Sequence, residues 1–201
     1  MTTGPVAVVL AGGLARRMGG GDKPLRVLGG RALLEHVLDR VRPQVRAVAL
    51  SANGDPARFA PWGLPVLADA LPGYPGPLAG VLAGMRWAAT LGAVDVLSVP
   101  ADTPFLPVDL VAGLAAARLA AGVPIACAAS LGRTHPVVAL WPAALADALE
   151  AALREGTRKV ERWAAEQGVA SAEFEAVGGD PFFNVNSPEE LAEAEARLAE
   201  G

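Results

Sequence analysis

The sequence predicts an α/β fold in which a mainly parallel, mixed sheet is covered by helices on both faces. Short apolar runs of strand length alternate with longer amphipathic stretches, which is the pattern of strands joined by helical crossovers. The 201 residues are 52% hydrophobic and only 5% aromatic, so Ala, Val and Leu must build most of the core. The first apolar run opens directly into a glycine-rich cationic loop, as strands of such sheets do where they bind ligands.

Six apolar runs are predicted strands, and five stretches are predicted helices. The strands are expected at residues 6–10, 47–51, 65–67, 94–99, 125–129 and 137–141. The first two helices are indicated by apolar residues at helical spacing over 33–41 and over 110–119, the second opened by Pro107 and Asp109. Further helices are expected at 142–155 and 158–166, and 173–183 is expected to be irregular. Ser187, Pro188 and Glu190 are typical of a helix start, which predicts the last helix at 188–199.

The loop after the first strand has the composition of an anion site. Its glycines let backbone N–H groups approach an anion, and Arg16, Arg17 and Lys23 add positive charge. It contains neither G-x-G-x-x-G nor the Gly-Lys-[Ser/Thr] of a Walker loop. Asp102 follows the predicted strand 94–99 in the same way that this loop follows the first strand. Both are therefore expected at the carboxyl edge of one parallel sheet.

Five segments together resemble one enzyme family, the molybdenum cofactor guanylyltransferases, among nucleotidyltransferases with a Rossmann-like sheet. The order and spacing of these segments make the match specific. They are Leu-Ala-Gly-Gly-x-x-x-Arg-Met-Gly-x-x-Asp-Lys at 10–23, Gly-Pro-Leu-Ala-Gly at 76–80, Pro-Ala-Asp-Thr-Pro-Phe at 100–105, His-Pro-Val at 135–137, and Asn-Val-Asn-Ser-Pro-Glu-Glu-Leu at 184–191.

The resemblance implies a reaction and a division of the chain. It implies transfer of GMP from GTP to the phosphate of molybdopterin or Mo-molybdopterin, giving the guanine dinucleotide and pyrophosphate with Mg²⁺ as cofactor. One domain, 1–201, would bind the nucleotide through its first half, about 1–106, and the acceptor through 107–201. A cytoplasmic monomer is expected, in transient contact with other cofactor-biosynthesis proteins or apo-molybdoenzymes.

Three residues are the candidates for catalysis. Lys23 is expected to be an exposed loop cation that clamps the triphosphate, and Arg17 is expected to add charge there. Asp102 ends an otherwise apolar strand, where a carboxylate is costly unless it is paired or binds a metal. We expect it to be unpaired until it binds Mg²⁺, which takes oxygen ligands.

The resemblance also assigns the remaining binding residues. The nucleotide would contact Leu10, Ala11, Gly12, Gly13, Lys23, Ser51, Asp69 and Asp102. Ser51 stands where the family commonly has Asn, and Asn53 is a candidate substitute. Asn184 and Asn186 flank one residue, so an extended segment would present both on one side, toward the acceptor, with Asn186 as a second metal ligand. His135 is assigned to the acceptor, whereas Cys127 is expected to be an inert core thiol.

Composition excludes several classes and leaves two rivals. The net charge of −4 argues against nucleic acid as a partner, and no apolar run is long enough to predict a membrane span. The sequence shows no catalytic dyad, and this absence argues against a hydrolase. A cytidylyltransferase or sugar-phosphate nucleotidyltransferase of the same fold remains open, although the resemblance implies guanine, because the Ala11-Gly12-Gly13 segment resembles that of the guanylyltransferases. A non-catalytic GTP-binding module is the other alternative. The presence of both Lys23 and Asp102 argues against it.

Overall fold

The computed structural model describes residues 4–12, 22–69, 71 and 76–200. The strands are β1 (Val6–Leu10), β2 (Val27–Leu28), β3 (Arg31–Ala32), β4 (Val48–Ser51), β5 (Val66–Leu67), β6 (Asp95–Pro100), β7 (Ile125–Ser130), β8 (Arg133–Pro142) and β9 (Val169–Glu173). The helices are α1 (Leu33–Val41), α2 (Pro77–Thr90), α3 (Leu110–Ala121), α4 (Ala146–Arg154), α5 (Val160–Gln167) and α6 (Pro188–Glu200). Among the described residues, no helix is both long and apolar enough to cross a membrane.

Seven of the strands form one mixed sheet in the order β5-β4-β1-β6-β8-β7-β9. Strands β5, β4, β1 and β6 are mutually parallel, as are β7 and β9. Strand β8 runs antiparallel to both of its neighbours, β6 and β7. The predicted fold, a mainly parallel but mixed sheet, is confirmed.

Two hydrophobic layers cover the sheet, as alternation along its strands requires. In β1, Ala7 and Val9 pack into one layer with α1 and α3, whereas Val6 and Val8 pack into the other with α2, α4 and α5. A third, smaller cluster joins α6 to the β2–β3 hairpin through Leu28, Leu33, Val185 and Ala194. Helix α6 therefore packs beside the start of α1.

Helix α2 lies so close to the sheet that two of its positions have no room for a side chain. A Cβ on Gly84 would lie 2.6 Å from Val8 Cγ1, and one on Gly80 would lie 2.6 Å from both Leu10 Cδ2 and Ser51 Oγ. The helix was not predicted from the sequence. It is buried on nearly all sides, so its residues show no amphipathic period, and its glycines weaken the helical pattern further.

Several predicted boundaries were wrong in the second half of the chain. Strand β8 begins at Arg133 rather than Val137, because an irregularity in its pairing with β7 accommodates Pro136, which cannot donate a ladder hydrogen bond. Strand β9 was missed. The helix expected from Pro142 begins at Ala146, since Pro142 still pairs with Asp95 in the sheet.

The parallel half of the sheet concentrates polar residues at one edge. Gly12, Asn53, Asp69 and Asp102 each stand two residues beyond the carboxyl end of a strand, β1, β4, β5 and β6 respectively. These four strands are adjacent and parallel. The common edge expected from the sequence is therefore present, and a cleft opens along it.

Candidate active site

Lys23 connects three parts of the chain at this edge. It begins a short 3₁₀ helix, Lys23–Leu25, whose Pro24 is buried. Its ammonium group donates to Asp102 Oδ2 and to Asn186 Oδ1, residues 79 and 163 positions away in sequence. The expectation of an exposed lysine was wrong, because only 12% of the side chain is exposed. Its ammonium group is held between Asp102 and Asn186 instead of extending into solvent.

Asp102 combines an ion pair with an unused oxygen. Its Oδ2 accepts from Lys23, so the carboxylate is not unpaired as expected from the sequence. Its Oδ1 is buried and has no hydrogen-bond partner among the described residues. A buried carboxylate oxygen without a donor is suited to a hard cation, which takes oxygen ligands.

The donor set fits a metal held by few protein groups. The described residues contain no group of three or more His, Cys, Asp or Glu that could together hold a metal ion. Mg²⁺ is commonly bound by one or two protein oxygens together with substrate phosphates and water. Asp102 Oδ1, with the Asn186 amide oxygen close to the same ammonium group, provides such a set.

The segment 184–186 is tied to the Asp102 turn by its own contacts. The N–H of Val185 donates to the Asp102 carbonyl at 2.9 Å, while the Val185 side chain is fully buried. Asn184 Oδ1 accepts from the buried Thr103 hydroxyl at 2.6 Å. The two asparagines therefore have different contacts: Asn186 binds Lys23, whereas Asn184 holds the turn. Thr103 was missed as a site residue, although it follows Asp102 in sequence.

The helix start after Asn186 fixes that residue from the other side. Ser187 Oγ accepts from the N–H of Glu190 at 3.2 Å, as an N-cap residue does. The Glu190 carboxylate accepts from the N–H of Asn186 at 2.6 Å, one residue before the N-cap. The predicted helix start is confirmed, and its capping residues anchor the backbone of Asn186.

A cleft of about 390 Å³ lies beside this cluster, a size typical of small-molecule sites. It is lined by Leu10, Gly12, Ser51, Ala52, Asn53, Asp69, Gly76, Pro77 and Gly80. Leu10 also lines a small cavity of about 30 Å³ that contains Lys23 and Asp102. The structure thus joins a cleft with room for a nucleoside to a cationic and carboxylate end. Ala11 is buried and does not line the cleft, while Gly13, Arg16 and Arg17 lie outside the described residues.

Asp69 and Asn53 are joined by a reciprocal pair of hydrogen bonds at the far end of the cleft. The Asn53 amide donates to Asp69 Oδ2 at 2.7 Å, and the Asp69 N–H donates to Asn53 Oδ1 at 3.0 Å. Ser51 lines the same cleft and is nearly buried. Among the described residues, a Cβ added to Gly12 would meet the Ser51 carbonyl oxygen at 4.0 Å, an ordinary van der Waals contact.

The described side-chain contacts of His135 are with Ser130 and Phe182, and none is with Lys23 or Asp102. The sequence placed it before a strand, but it lies within β8 and packs on Phe182 with ring centroids 4.6 Å apart. The Ser130 hydroxyl donates to Asp180 Oδ1 at 2.7 Å and lies 2.8 Å from His135 Nε2, which therefore donates to it. Burial lowers the pKa of His135, which favours the neutral ring at pH 7.

Burial raises the pKa of the Cys127 thiol, in agreement with an inert core cysteine.

The chain is similar to known proteins over most of its length. Residues 7–171 match the family described as the MobA-like NTP transferase domain. A molybdenum cofactor guanylyltransferase of Rhodopseudomonas palustris is 58% identical over 94% of this chain and 91% of its own length. One from a Bradyrhizobium species is 55% identical over 98% of this chain and 94% of its own.

A solved structure shares the fold. The crystal structure of molybdopterin-guanine dinucleotide biosynthesis protein A from Archaeoglobus fulgidus aligns with a TM-score of 0.75 at 23% identity, covering 98% of this chain and all of that one. From the family match and from relatives that are more than half identical over nearly their whole length, we conclude that the chain is a nucleotidyltransferase and belongs to the MobA-like molybdenum cofactor guanylyltransferase family.

Proposed function

We propose that this enzyme transfers GMP from GTP to the phosphate of molybdopterin or Mo-molybdopterin, forming the guanine dinucleotide cofactor and pyrophosphate. The observation that carries the proposal is the contact of Lys23 with both Asp102 and Asn186, next to a nucleoside-sized cleft with which the cavity around Lys23 and Asp102 shares Leu10. In this arrangement residues 1–106 supply the nucleotide site. Residues 107–201 supply the acceptor side through Asn186 and, farther away, Asn184 and His135.

The chemistry requires positioning more than a base. A phosphate monoester is largely dianionic at pH 7, because its second pKa is about 6. One of its oxygens attacks the α-phosphorus of GTP, a new P–O–P bond forms, and the bond to the β-phosphate oxygen breaks to release pyrophosphate. Such transfers depend on alignment and on screening of negative charge. Lys23, backbone N–H groups of the loop after β1 and Arg17 supply that screening in our proposal.

Asp102 and Asn186 are the proposed metal ligands. Asp102 Oδ1 would hold Mg²⁺, and the amide oxygen of Asn186 would complete the protein's share of the ligands. When bound, the ion neutralises charge on the phosphates and on the leaving pyrophosphate. The ion pair with Lys23 would orient the Asp102 carboxylate for that ion. We further propose that the enzyme works in the cytoplasm as a monomer, with transient contacts to other cofactor-biosynthesis proteins or apo-molybdoenzymes.

Nucleotide preference tests this function most directly. In a thermal-shift panel of GTP, CTP, ATP and UTP with Mg²⁺, GTP is expected to raise the melting temperature most. Ligand at about 100 times its Kd adds roughly 2.7 kcal/mol to the free energy of unfolding. GTP with EDTA in place of Mg²⁺ is the control and should give a smaller shift. A larger shift with CTP would assign the enzyme to the cytidylyltransferases instead.

The two asparagines provide a matched pair for the acceptor side. Asn186→Ala removes an acceptor from Lys23 and is expected to lower kcat for transfer to molybdopterin by about tenfold or more, as loss of a bond to a charged group does. Among the described residues, Asn184→Ala removes only the side-chain contact with Thr103, and it should lower kcat less. Calorimetric titration of GTP on the same preparations should show affinities within a few-fold of wild type. Equal loss of GTP binding and of transfer in Asn186→Ala would place that residue in the nucleotide site.

A further inference from the structure

Arg58 makes contacts in two directions: toward the cluster around Lys23, the lysine end of the site, and toward the cleft, its nucleoside end. It belongs to the 3₁₀ helix Pro56–Trp62, which is capped by Asp55 through a bond from the N–H of Ala57 at 2.8 Å. The following residue, Phe59, is 1% exposed and anchors this helix in the core. The Arg58 guanidinium lies 4.8 Å from the centre of the Phe59 ring. The arginine therefore projects from a rigid support.

Toward the lysine end, Arg58 pairs with the residue before Lys23. Its Nε lies 3.4 Å from Asp22 Oδ2, and the two side chains are 25% and 26% exposed. Arg58 Nε is itself buried and has no hydrogen-bond partner among the described residues, so its contact with Asp22 is an ion pair and not a hydrogen bond. Since Asp22 is joined to Lys23 by one peptide bond, this ion pair holds the backbone that carries the lysine.

Toward the nucleoside end, Arg58 contacts Asn53. Its Nη2 donates to the Asn53 carbonyl at 2.6 Å. The Asn53 side chain in turn binds both the carboxylate and the backbone N–H of Asp69. An amide that bonds to a carboxylate and to the backbone of the same residue restricts rotation of that carboxylate. Contacts thus run without a gap from Asp22 through Arg58 and Asn53 to Asp69.

We propose that Asn53 and Arg58 are positioning residues that orient the Asp69 carboxylate toward the base of the bound nucleotide and couple it to Lys23. This inference rests on the proposed function, because it needs a nucleotide in the cleft. An ionised carboxylate only accepts hydrogen bonds. Guanine offers two neighbouring donors, its N1–H and its 2-amino group, whereas cytosine has acceptors at the corresponding positions. A fixed acceptor rejects a base that lacks the donor far more strongly than a mobile one does.

Inosine triphosphate, which lacks the 2-amino group, is the probe that separates positioning from simple binding. Wild-type enzyme is expected to bind GTP at least about tenfold more tightly than inosine triphosphate by calorimetry, as loss of a bond to a charged group implies. Asn53→Ala should bring the two affinities close together while lowering kcat at saturating GTP less than it raises KM. Arg58→Lys keeps the charge but loses the planar fork, so it should shift the ratio in the same direction.

Arg118→Lys is the matched control. Arg118 forms a comparably buried ion pair with Asp95, and the two side chains are 23% and 19% exposed. Asp95 begins β6, so this pair lies at the opposite end of that strand from Asp102. This variant should keep the wild-type ratio of GTP to inosine triphosphate affinity. If it shifts the ratio as Arg58→Lys does, a general loss of packing explains both.

A double-mutant cycle completes the test. If Asn53 acts through Asp69, Asn53→Ala combined with Asp69→Ala should bind GTP no more weakly than Asp69→Ala alone. Additive losses, or a wild-type ratio in both Asn53→Ala and Arg58→Lys, would overturn the inference. Melting temperatures identify any unfolded variant, and exposed Asn53 carries the test if Arg58→Lys does not fold. A wild-type enzyme that prefers CTP to GTP would instead contradict the proposed function.

Discussion

Lys23→Ala is expected to lower kcat/KM for GTP by at least about a hundredfold, a loss of roughly 2.7 kcal/mol of transition-state stabilisation. Charge-assisted hydrogen bonds to phosphate are about twice as strong as neutral ones, and this ammonium group would face charge that grows on the leaving pyrophosphate. The substitution also removes the only ion-pair partner of Asp102 among the described residues. Kinetics at varied GTP and Mg²⁺ should therefore show losses in kcat as well as a higher KM.

Lys159→Ala is the control for this variant. Lys159 is the only other lysine in the sequence and is exposed before α5. It should leave kcat/KM within about twofold of wild type, since surface substitutions away from a site rarely matter. Circular dichroism should show that both variants are folded. Turnover of folded Lys23→Ala at the wild-type rate would show that this lysine does not bind the triphosphate.

Asp102→Asn is expected to abolish the response of activity to Mg²⁺ and to lower kcat by about a thousandfold, the upper end of losses from removing one stabilising group at a reacting centre. An amide cannot supply the charged oxygen that a hard cation prefers. Titration of initial rates against Mg²⁺ at saturating GTP is the measurement. A wild-type midpoint in that titration would move the metal to other ligands.

The structure changes the effect on stability that the sequence alone predicts for Asp102→Asn. From the sequence, an unpaired carboxylate would be strained, so an amide there should stabilise the protein. The structure pairs Asp102 with Lys23, and Asn would leave a largely buried ammonium group with neutral acceptors only. We therefore expect the melting temperature to fall or stay level. Asp109→Asn, an exposed residue that makes no capping bond, is the matched control and should leave both activity and melting temperature near wild type.

Local signals in the chain were sufficient to predict the edge at which the site lies. Strand β1 is a short apolar run that is followed two residues later by Gly12, and β6 is a mainly apolar run that is followed two residues later by Asp102. Because parallel strands of one sheet present their carboxyl ends together, these two segments had to meet. The start of α6 was equally clear, since Ser187 and Glu190 carry the capping chemistry within four residues.

The elements that were missed carry weak local signals. Helix α2 is buried on nearly every side and has glycines where it touches β1, so neither period nor propensity indicates it. Strand β9 is short and rich in alanine, and its pairing with β7 comes from a segment more than forty residues earlier. Strand β8 is longer than its apolar run because an irregular register accommodates Pro136.

The partners of individual side chains were decided by packing between distant segments. Asn184 and Asn186 flank Val185 in the sequence, which indicated only that they share a side. Burial of Val185 and its bond to the Asp102 carbonyl turn Asn186 to Lys23, while Thr103 holds Asn184. The residue types and their edge of the sheet follow from short-range patterns. Which oxygen Lys23 binds, and which oxygen of Asp102 stays free, depends on contacts across 79 and 163 positions that no local pattern encodes.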